Sequence, residues 1–350
     1  MSLIEKLRKN TTIKESAVLD KSKFFNAKDM ITTPVPMFNV AFSAKLDGGI
    51  TPGLTLLAGP SKHFKTAFAL LLAKSYMDKY DDAIILFYDS EFGSPGSYFK
   101  SFGIDPTRVF HSPLENLEQL KFDIMKQLQD IGRGEHVFIL VDSVGNLASK
   151  KEVEDALKEN SAADMSRAKQ FKSLFRMVTP HLNLKDIPMV AVAHTYQTQE
   201  MYSKTVVSGG TGQYYSADNI FIIGRQQEKD GTELTGYKFV INIEKSRYVR
   251  EKSKIEIDVS FEGGINKWSG LLENGLESGF VIKPKLGWYA KVDKSTGEIV
   301  GKNYRESETN EEEFWKDILA NKEFQEFITT KYQISSGSIM QYDEAPVEAE

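Results

Sequence analysis

The eight residues Gly59-Pro60-Ser61-Lys62-His63-Phe64-Lys65-Thr66 constrain this chain more than any other segment. They come after the apolar run Leu54-Thr55-Leu56-Leu57-Ala58 and lead into residues 66–80, whose spacing of apolar side chains is that of an amphipathic helix. A strand, a tight loop and a helix in that order, with the pattern GxxxxGK[ST] at the corner, make a cradle for phosphate. Backbone N–H groups point inward at a helix N-terminus whose dipole favours anions. Lys65 then offers a point charge to the β- and γ-phosphates of a nucleotide, and the Thr66 hydroxyl a ligand for Mg²⁺. One position departs: Phe64 stands where the pattern has glycine. If that position needs φ > 0, a phenylalanine there is strained by about 1–3 kcal/mol. Taken alone, the segment admits two readings, a nucleotide site or a strand–turn–helix corner with an incidental lysine.

Three more strand ends bear on that choice. Residues 137–141 form an apolar strand that ends in Asp142-Ser143. A carboxylate there can hold a Mg²⁺-bound water beside the first strand, although aspartate after a strand is also ordinary turn chemistry. Residues 84–91 (IILFYDSE) put Glu91 at the C-terminal end of another strand, the edge where open α/β sheets bind ligands. A carboxylate so placed can orient and deprotonate an attacking water. Residues 189–193 run into His194-Thr195-Tyr196-Gln197, where a polar side chain can reach a γ-phosphate and report it to the adjoining loop. A solvent-facing loop carboxylate and a structural histidine are the plain alternatives.

Strands at 83–88, 137–141 and 189–193 alternate with helices at 66–80, near 97–102, and at 114–131 and 165–178. This order predicts an α/β fold, a mostly parallel sheet covered by helices. Strands at 219–223 and 237–243, joined by short glycine-containing connections, are expected to run antiparallel. Leu3, Ile4 and Leu7 predict a short N-terminal helix, and residues 20–36 an extended linker whose prolines disfavour helix. The chain has no cysteine, so disulfides, thiolate metal sites and cysteine nucleophiles are excluded. No apolar run approaches the roughly 18 residues of a membrane span. The net charge of −5 is uneven: residues 304–350 carry −8 and the rest +3. An acidic tail on a mildly basic body suits a protein that handles a polyanion and limits the contact, and equally suits a simple solvating tail.

Together these motifs resemble the RecA recombinase family, and within it the UvsX-type recombinases of T-even-like phages. The stretches that carry the resemblance are AGPSKHFKT at 58–66, LFYDSEFG at 86–93, DSVGNLASKKEVEDAL at 142–157, AVAHTYQTQEMYSKTVVSGGTG at 191–212 and VINIEKSRYVREKSK at 240–254. It covers roughly residues 25–300, and Phe64 agrees with the phage branch. The resemblance implies a RecA-like P-loop ATPase core at 36–270, after an N-terminal helix and polymerisation linker at 1–35. A small C-terminal region at 271–335 and an acidic tail at 336–350 would complete the chain. It implies ATP and Mg²⁺ as ligands, Glu91 as the residue that activates water, Asp142 as the Walker B aspartate and Tyr98 as the ring stacked on adenine. His194 replaces the glutamine that senses the γ-phosphate in RecA. Lys245 and Arg247 match residues that reach the ATP of a neighbouring subunit; without the family they read as a solvated strand edge.

The implied partners are single-stranded DNA, homologous duplex DNA, further copies in a helical filament, and mediator and single-strand-binding proteins, in the host cytoplasm and with no membrane. Two loops are expected to face DNA. One, at 145–156, holds Asn146, Lys150 and Lys151; the other, at 195–208, holds Gln199, Met201, Tyr202 and Lys204. Lysines mixed with aromatic and small polar groups neutralise phosphates and wedge bases without reading sequence. Arg167, Lys169, Lys172 and Arg176 lie on the adjacent helix, with Lys169 and Arg176 at DNA-side positions of the family. Phe24-Phe25-Asn26-Ala27 contains an F-x-x-A pattern used for polymerisation in eukaryotic relatives, and equally reads as plain linker. Two other functions share much of this sequence pattern: a hexameric helicase with the same core, and a noncatalytic ATP-gated scaffold on single strands.

Overall fold

The computed structural model describes residues 2–22, 24, 29–158, 166–198, 205–209 and 211–334. Gln199, Met201, Tyr202 and Lys204, residues 25–27 of the F-x-x-A pattern and the acidic tail at 336–350 lie outside the described residues.

Segments rich in apolar residues assemble a nine-stranded sheet among the described residues. Its strands are β1 (Gly53–Ala58), β2 (Ile84–Asp89), β3 (Val109–Pro113), β4 (Val137–Asp142) and β5 (Pro188–Ala193). After the short hairpin β6 (Thr195–Gln197) and β7 (Thr205–Val207) come β8 (Asn219–Asp230), β9 (Glu233–Lys245), β10 (Lys254–Ser260) and β11 (Gly264–Ile265). The spatial order is β11-β10-β9-β8-β1-β5-β4-β2-β3. The strands from β8 to β3 are parallel, and β9 to β11 continue antiparallel. β1 therefore sits between β5 and β8, buried along its whole length.

Because strand side chains alternate, the sheet has two apolar faces. Leu57, Phe87, Phe138 and Val192 point to one, where α2 (Pro36–Ser43) and α3 (Lys65–Lys79) pack. Leu56, Tyr88, Ile139 and Ala191 point to the other, covered by α5 (Leu117–Asp130) and α7 (Ser166–Lys185). The shorter helices are α1 (Leu3–Asn10), α4 (Gly96–Ser101), α6 (Lys150–Leu157) and α8 (Thr211–Ser216), and no residue of α1 or α6 is buried. The C-terminal part comprises α9 (Leu271–Ser278), an antiparallel sheet of β12 (Val281–Lys285), β13 (Trp288–Val292) and β14 (Ile299–Arg305), then α10 (Glu312–Ala320) and α11 (Lys322–Tyr332). Its Phe280, Phe314, Trp315 and Phe324 join the cluster built on α2 and α3.

Several expectations need correction. Pro36 does not prolong the linker: it occupies the first turn of α2, where its missing N–H has no partner to lose. Ile31 pairs with Ile50 and is buried, so the end of the linker is built into the core. α7 runs past Val178 to Lys185 with Pro180 inside it. β3 is a half-exposed edge strand whose sequence lacks the clean alternation that would predict it, and β8 extends seven residues beyond Ile223 to Asp230.

Candidate functional site

The loop after β1 is held from both sides. Gly59 N–H donates to Ala193 O of β5 at 3.2 Å, and a Cβ on Gly59 would fall 2.8 Å from Ile223 O of β8. Pro60, Ser61 and Lys62 are exposed. The His63 imidazole lies 2.9 Å from Ser61 O, and burial draws its pKa below the usual value. Lys62 O accepts a hydrogen bond from Arg225 at 3.1 Å. Arg225 is invisible to sequence reading because the apolar run of β8 stops at Ile223, before it. Phe64 has φ 60° and ψ 16°, the left-handed conformation that the missing glycine would favour. Its ring stacks on Phe239 at 5.0 Å and meets Phe68 edge-on at 5.4 Å.

Lys65 opens α3 and is 6% exposed, with Nζ donating to Pro60 O at 2.8 Å. Burial lowers the pKa of its ammonium, and the carboxylates of Glu91 and Asp142 oppose that. Thr66 Oγ1 donates to Asp142 Oδ2 at 2.7 Å. Burial pushes the Asp142 carboxyl up to about 6; the Thr66 hydrogen bond and Lys65 pull it back, while the Glu91 and Asp89 charges add to the rise. Asp142 Oδ1 is buried with no hydrogen-bond partner. A buried carboxylate oxygen held open beside a threonine hydroxyl suits a hard cation with oxygen ligands.

Glu91 lies just beyond β2, its backbone and that of Phe92 donating to Asp89 Oδ1 at 3.0 and 2.8 Å. Its Oε1 accepts from Ser143 Oγ at 2.6 Å, His194 Nε2 at 2.8 Å and Asn146 Nδ2 at 3.2 Å. Burial alone would raise the Glu91 pKa; the Ser143 and His194 hydrogen bonds and the nearby charges outweigh it and hold the carboxyl below its usual range. Tyr98 sits on α4 at the rim, edge-on to Phe102 at 5.4 Å, its hydroxyl pKa raised by burial and by the Asp142 charge. The fold thus brings Lys65, Thr66, Glu91, Asp142 and His194 together at the C-terminal ends of β1, β2, β4 and β5.

Lys245 and Arg247 are elsewhere. Lys245 pairs with Ile220 near the start of β8, whereas the loop leaves β1 at Ala58, which pairs with Ile222. Lys245 Nζ donates to Tyr214 O at 2.5 Å, and Arg247 is ion-paired with the buried Asp218, whose Oδ2 accepts from Leu54 N at 2.9 Å. Both basic residues are therefore tied to the end of the sheet where β1 begins. Lys150 and Lys151 are exposed on the first turn of α6 and pair with Glu154 and Asp155. Lys169, Lys172 and Arg176 are exposed on one face of α7. Arg167 does not share that face: it is half-buried and donates to Gly145 O at 2.6 Å and Leu147 O at 2.8 Å, clamping the turn after β4.

A buried lysine and a threonine–aspartate pair across adjacent layers, reached from a strand–loop–helix corner, define the P-loop class of nucleotide-binding proteins. Residues 21–266 match the family described as RecA N-terminal domain. Residues 268–328 match the C-terminal domain of the recombination and repair protein of bacteriophage T4. The chain is 52% identical to the recombination and repair protein of Enterobacteria phage T4 over 99% of its own length and 90% of that protein's. It is 24% identical to the Protein RecA of a Nocardioides species, over 75% of each chain. A further Protein RecA, from Bacteroides thetaiotaomicron, is 25% identical over 75% of this chain and 79% of its own. The chain belongs to the RecA family of recombinases. No helix among the described residues is long and apolar enough to cross a membrane.

Proposed function

We propose that this chain is an ATP-dependent DNA strand-exchange recombinase that forms helical filaments on single-stranded DNA and pairs it with homologous duplex in the host cytoplasm. The observation that carries this reading is the split between a complete phosphate loop and a distant basic pair. Lys245 and Arg247 stand away from the chain's own loop, bonded to Tyr214 O and Asp218, and in this reading they exchange those contacts for the ATP of the next copy.

In this reading Lys65 and the backbone of Gly59 to Phe64 hold the phosphates, and Tyr98 stacks on the adenine. Thr66 and the open oxygen of Asp142 would hold Mg²⁺, which supplies charge neutralisation at the β,γ-phosphate oxygens. Glu91 orients the attacking water and accepts its proton. In this reading His194, bonded to Glu91, senses the terminal phosphate and passes its presence to the segment that follows. Lys150, Lys151, Lys169 and Arg176, with Gln199, Met201, Tyr202 and Lys204, serve the DNA phosphates and bases. Mediator and single-strand-binding proteins act as loading partners.

Strand exchange between a single strand and homologous duplex, measured with ATP and Mg²⁺, tests the reading. Joint molecules dependent on homology are expected. Unwinding without homology would instead indicate a helicase, and neither activity a scaffold. Glu91→Gln should keep nucleotide binding and lower hydrolysis by about 10²–10⁴.

A further inference from the structure

Three donors converge on one oxygen of Glu91, two from the turn after β4 and one from the end of β5. Ser143 directly succeeds β4, Asn146 lies in the turn after it, and His194 directly succeeds β5. The turn around Asn146 is anchored on both sides. Val144 and Leu147 are buried, and Arg167 holds the carbonyls of Gly145 and Leu147. Gly145 is packed so closely that a Cβ would fall 2.8 Å from Ser208 Oγ and 3.1 Å from His194 Cδ2. His194 O in turn accepts from Ser208 N–H at 2.8 Å. The turn after β4, the start of β6 and the end of β7 are therefore one packed junction behind Glu91. Asn146 is its exposed member, and Lys150 and Lys151, which follow it closely in the chain, are exposed as well.

We propose that Asn146 is a positioning residue: its amide holds Glu91 against the loop junction, and DNA lying along residues 145–151 takes that amide away and frees Glu91 for the attacking water. The proposal rests on the recombinase reading and adds to it how DNA reaches the hydrolytic carboxylate. A carboxylate with three donors on one oxygen is a weaker proton acceptor than one with two, and is less free to turn. The Asn146 contact, at 3.2 Å and exposed, is the weakest of the three and the one a phosphate or base edge can capture. Ser143 is fully buried and keeps its bond whether or not DNA is present.

The test is steady-state ATP hydrolysis by the full chain, with and without an oligo-dT strand, for the unaltered protein, Asn146→Ala and Asn146→Gln. In Asn146→Ala the DNA-free kcat should rise about fivefold, with KM for ATP unchanged within about twofold and DNA stimulation reduced by the same factor. Asn146→Gln keeps an amide donor and should return toward the unaltered protein. A DNA-free kcat in Asn146→Ala that is unchanged or lower overturns the proposal. So does a KM change as large as the kcat change, which marks a general disturbance of the nucleotide site. If the unaltered protein shows no DNA-stimulated hydrolysis, the recombinase reading fails and this proposal with it. If stimulation is present and Asn146→Ala behaves as the unaltered protein, only the proposal fails.

Discussion

Phe64 places a bulky side chain at φ 60°, where an L-residue is disfavoured by roughly 1–2 kcal/mol. Its ring recovers stability by packing on Phe239 and Phe68, and Phe68 itself is fully buried between α2 and the sheet. The loop is thus held by an aromatic wedge where a glycine would have held it by conformational freedom. Phe64→Ala keeps the strain and loses the ring, so it should destabilise the fold by about 2–3 kcal/mol. Phe64→Gly loses the ring but relieves the strain, and should be more stable than Phe64→Ala by about 1 kcal/mol. Urea unfolding of the two variants measures the difference; equal stabilities would show that the left-handed conformation carries no cost here. The sequence identifies Phe64 as the departure from the pattern, because the loop is local. It is silent on the compensation, because Phe239 lies 175 residues away on a strand whose register decides which side chains face α3.

Among the elements, β10 carries a pH dependence of its own. Burial pushes the Asp258 carboxyl up to about 6; Lys238, at 3.8 Å, opposes the rise, and Glu228 and Glu256 add to it. Because the folded value lies above the ordinary 3.8, the charged form is the one the fold disfavours. The contribution of Asp258 to stability is full below about pH 4 and is lost as pH climbs through about 6, a change of about 3 kcal/mol. Asp258→Asn removes that loss, so its stability relative to the unaltered protein should grow between about pH 4 and pH 7 in urea titrations and level off above. A constant difference across that window would refute the assignment. The exposed face of α7 makes a second prediction. Replacing Lys169 or Arg176 by alanine should weaken binding to oligo-dT and reduce the slope of log affinity against log salt by about 0.7 per residue. A lower affinity with an unaltered slope would mean that neither residue touches a phosphate.

At the level of the whole molecule, the parallel sheet puts the phosphate loop at one end and Lys245 and Arg247 toward the other. If a neighbour's pair completes each site, two inactive variants repair one another. A Lys245→Ala subunit has an intact Glu91, and a Glu91→Gln subunit supplies an intact Lys245. An equimolar mixture should recover about a quarter of the DNA-dependent hydrolysis, since that share of head-to-tail interfaces joins the two good halves. No recovery above the sum of the separate variants would place Lys245 outside the neighbour's site. The acidic excess of residues 304–350 bears on the same assembly, since a filament repeats that charge at every subunit.

Much of this protein can be read along the chain: the strand–loop–helix corner at Gly59, the apolar strands ending in Asp142 and before His194, and the α/β alternation. Those features are local, and apolar period and turn chemistry are written within a dozen residues. What required the folded chain is the meeting of distant strand ends. Sheet order sets β4 and β5 beside β2 and β1, and so brings Ser143, Asn146 and His194 onto one oxygen of Glu91. The same register faces Phe239 toward Phe64 and sends Arg167 into the turn after β4. These contacts depend on which strands neighbour one another and in what alignment, and that is decided by packing two apolar faces at once.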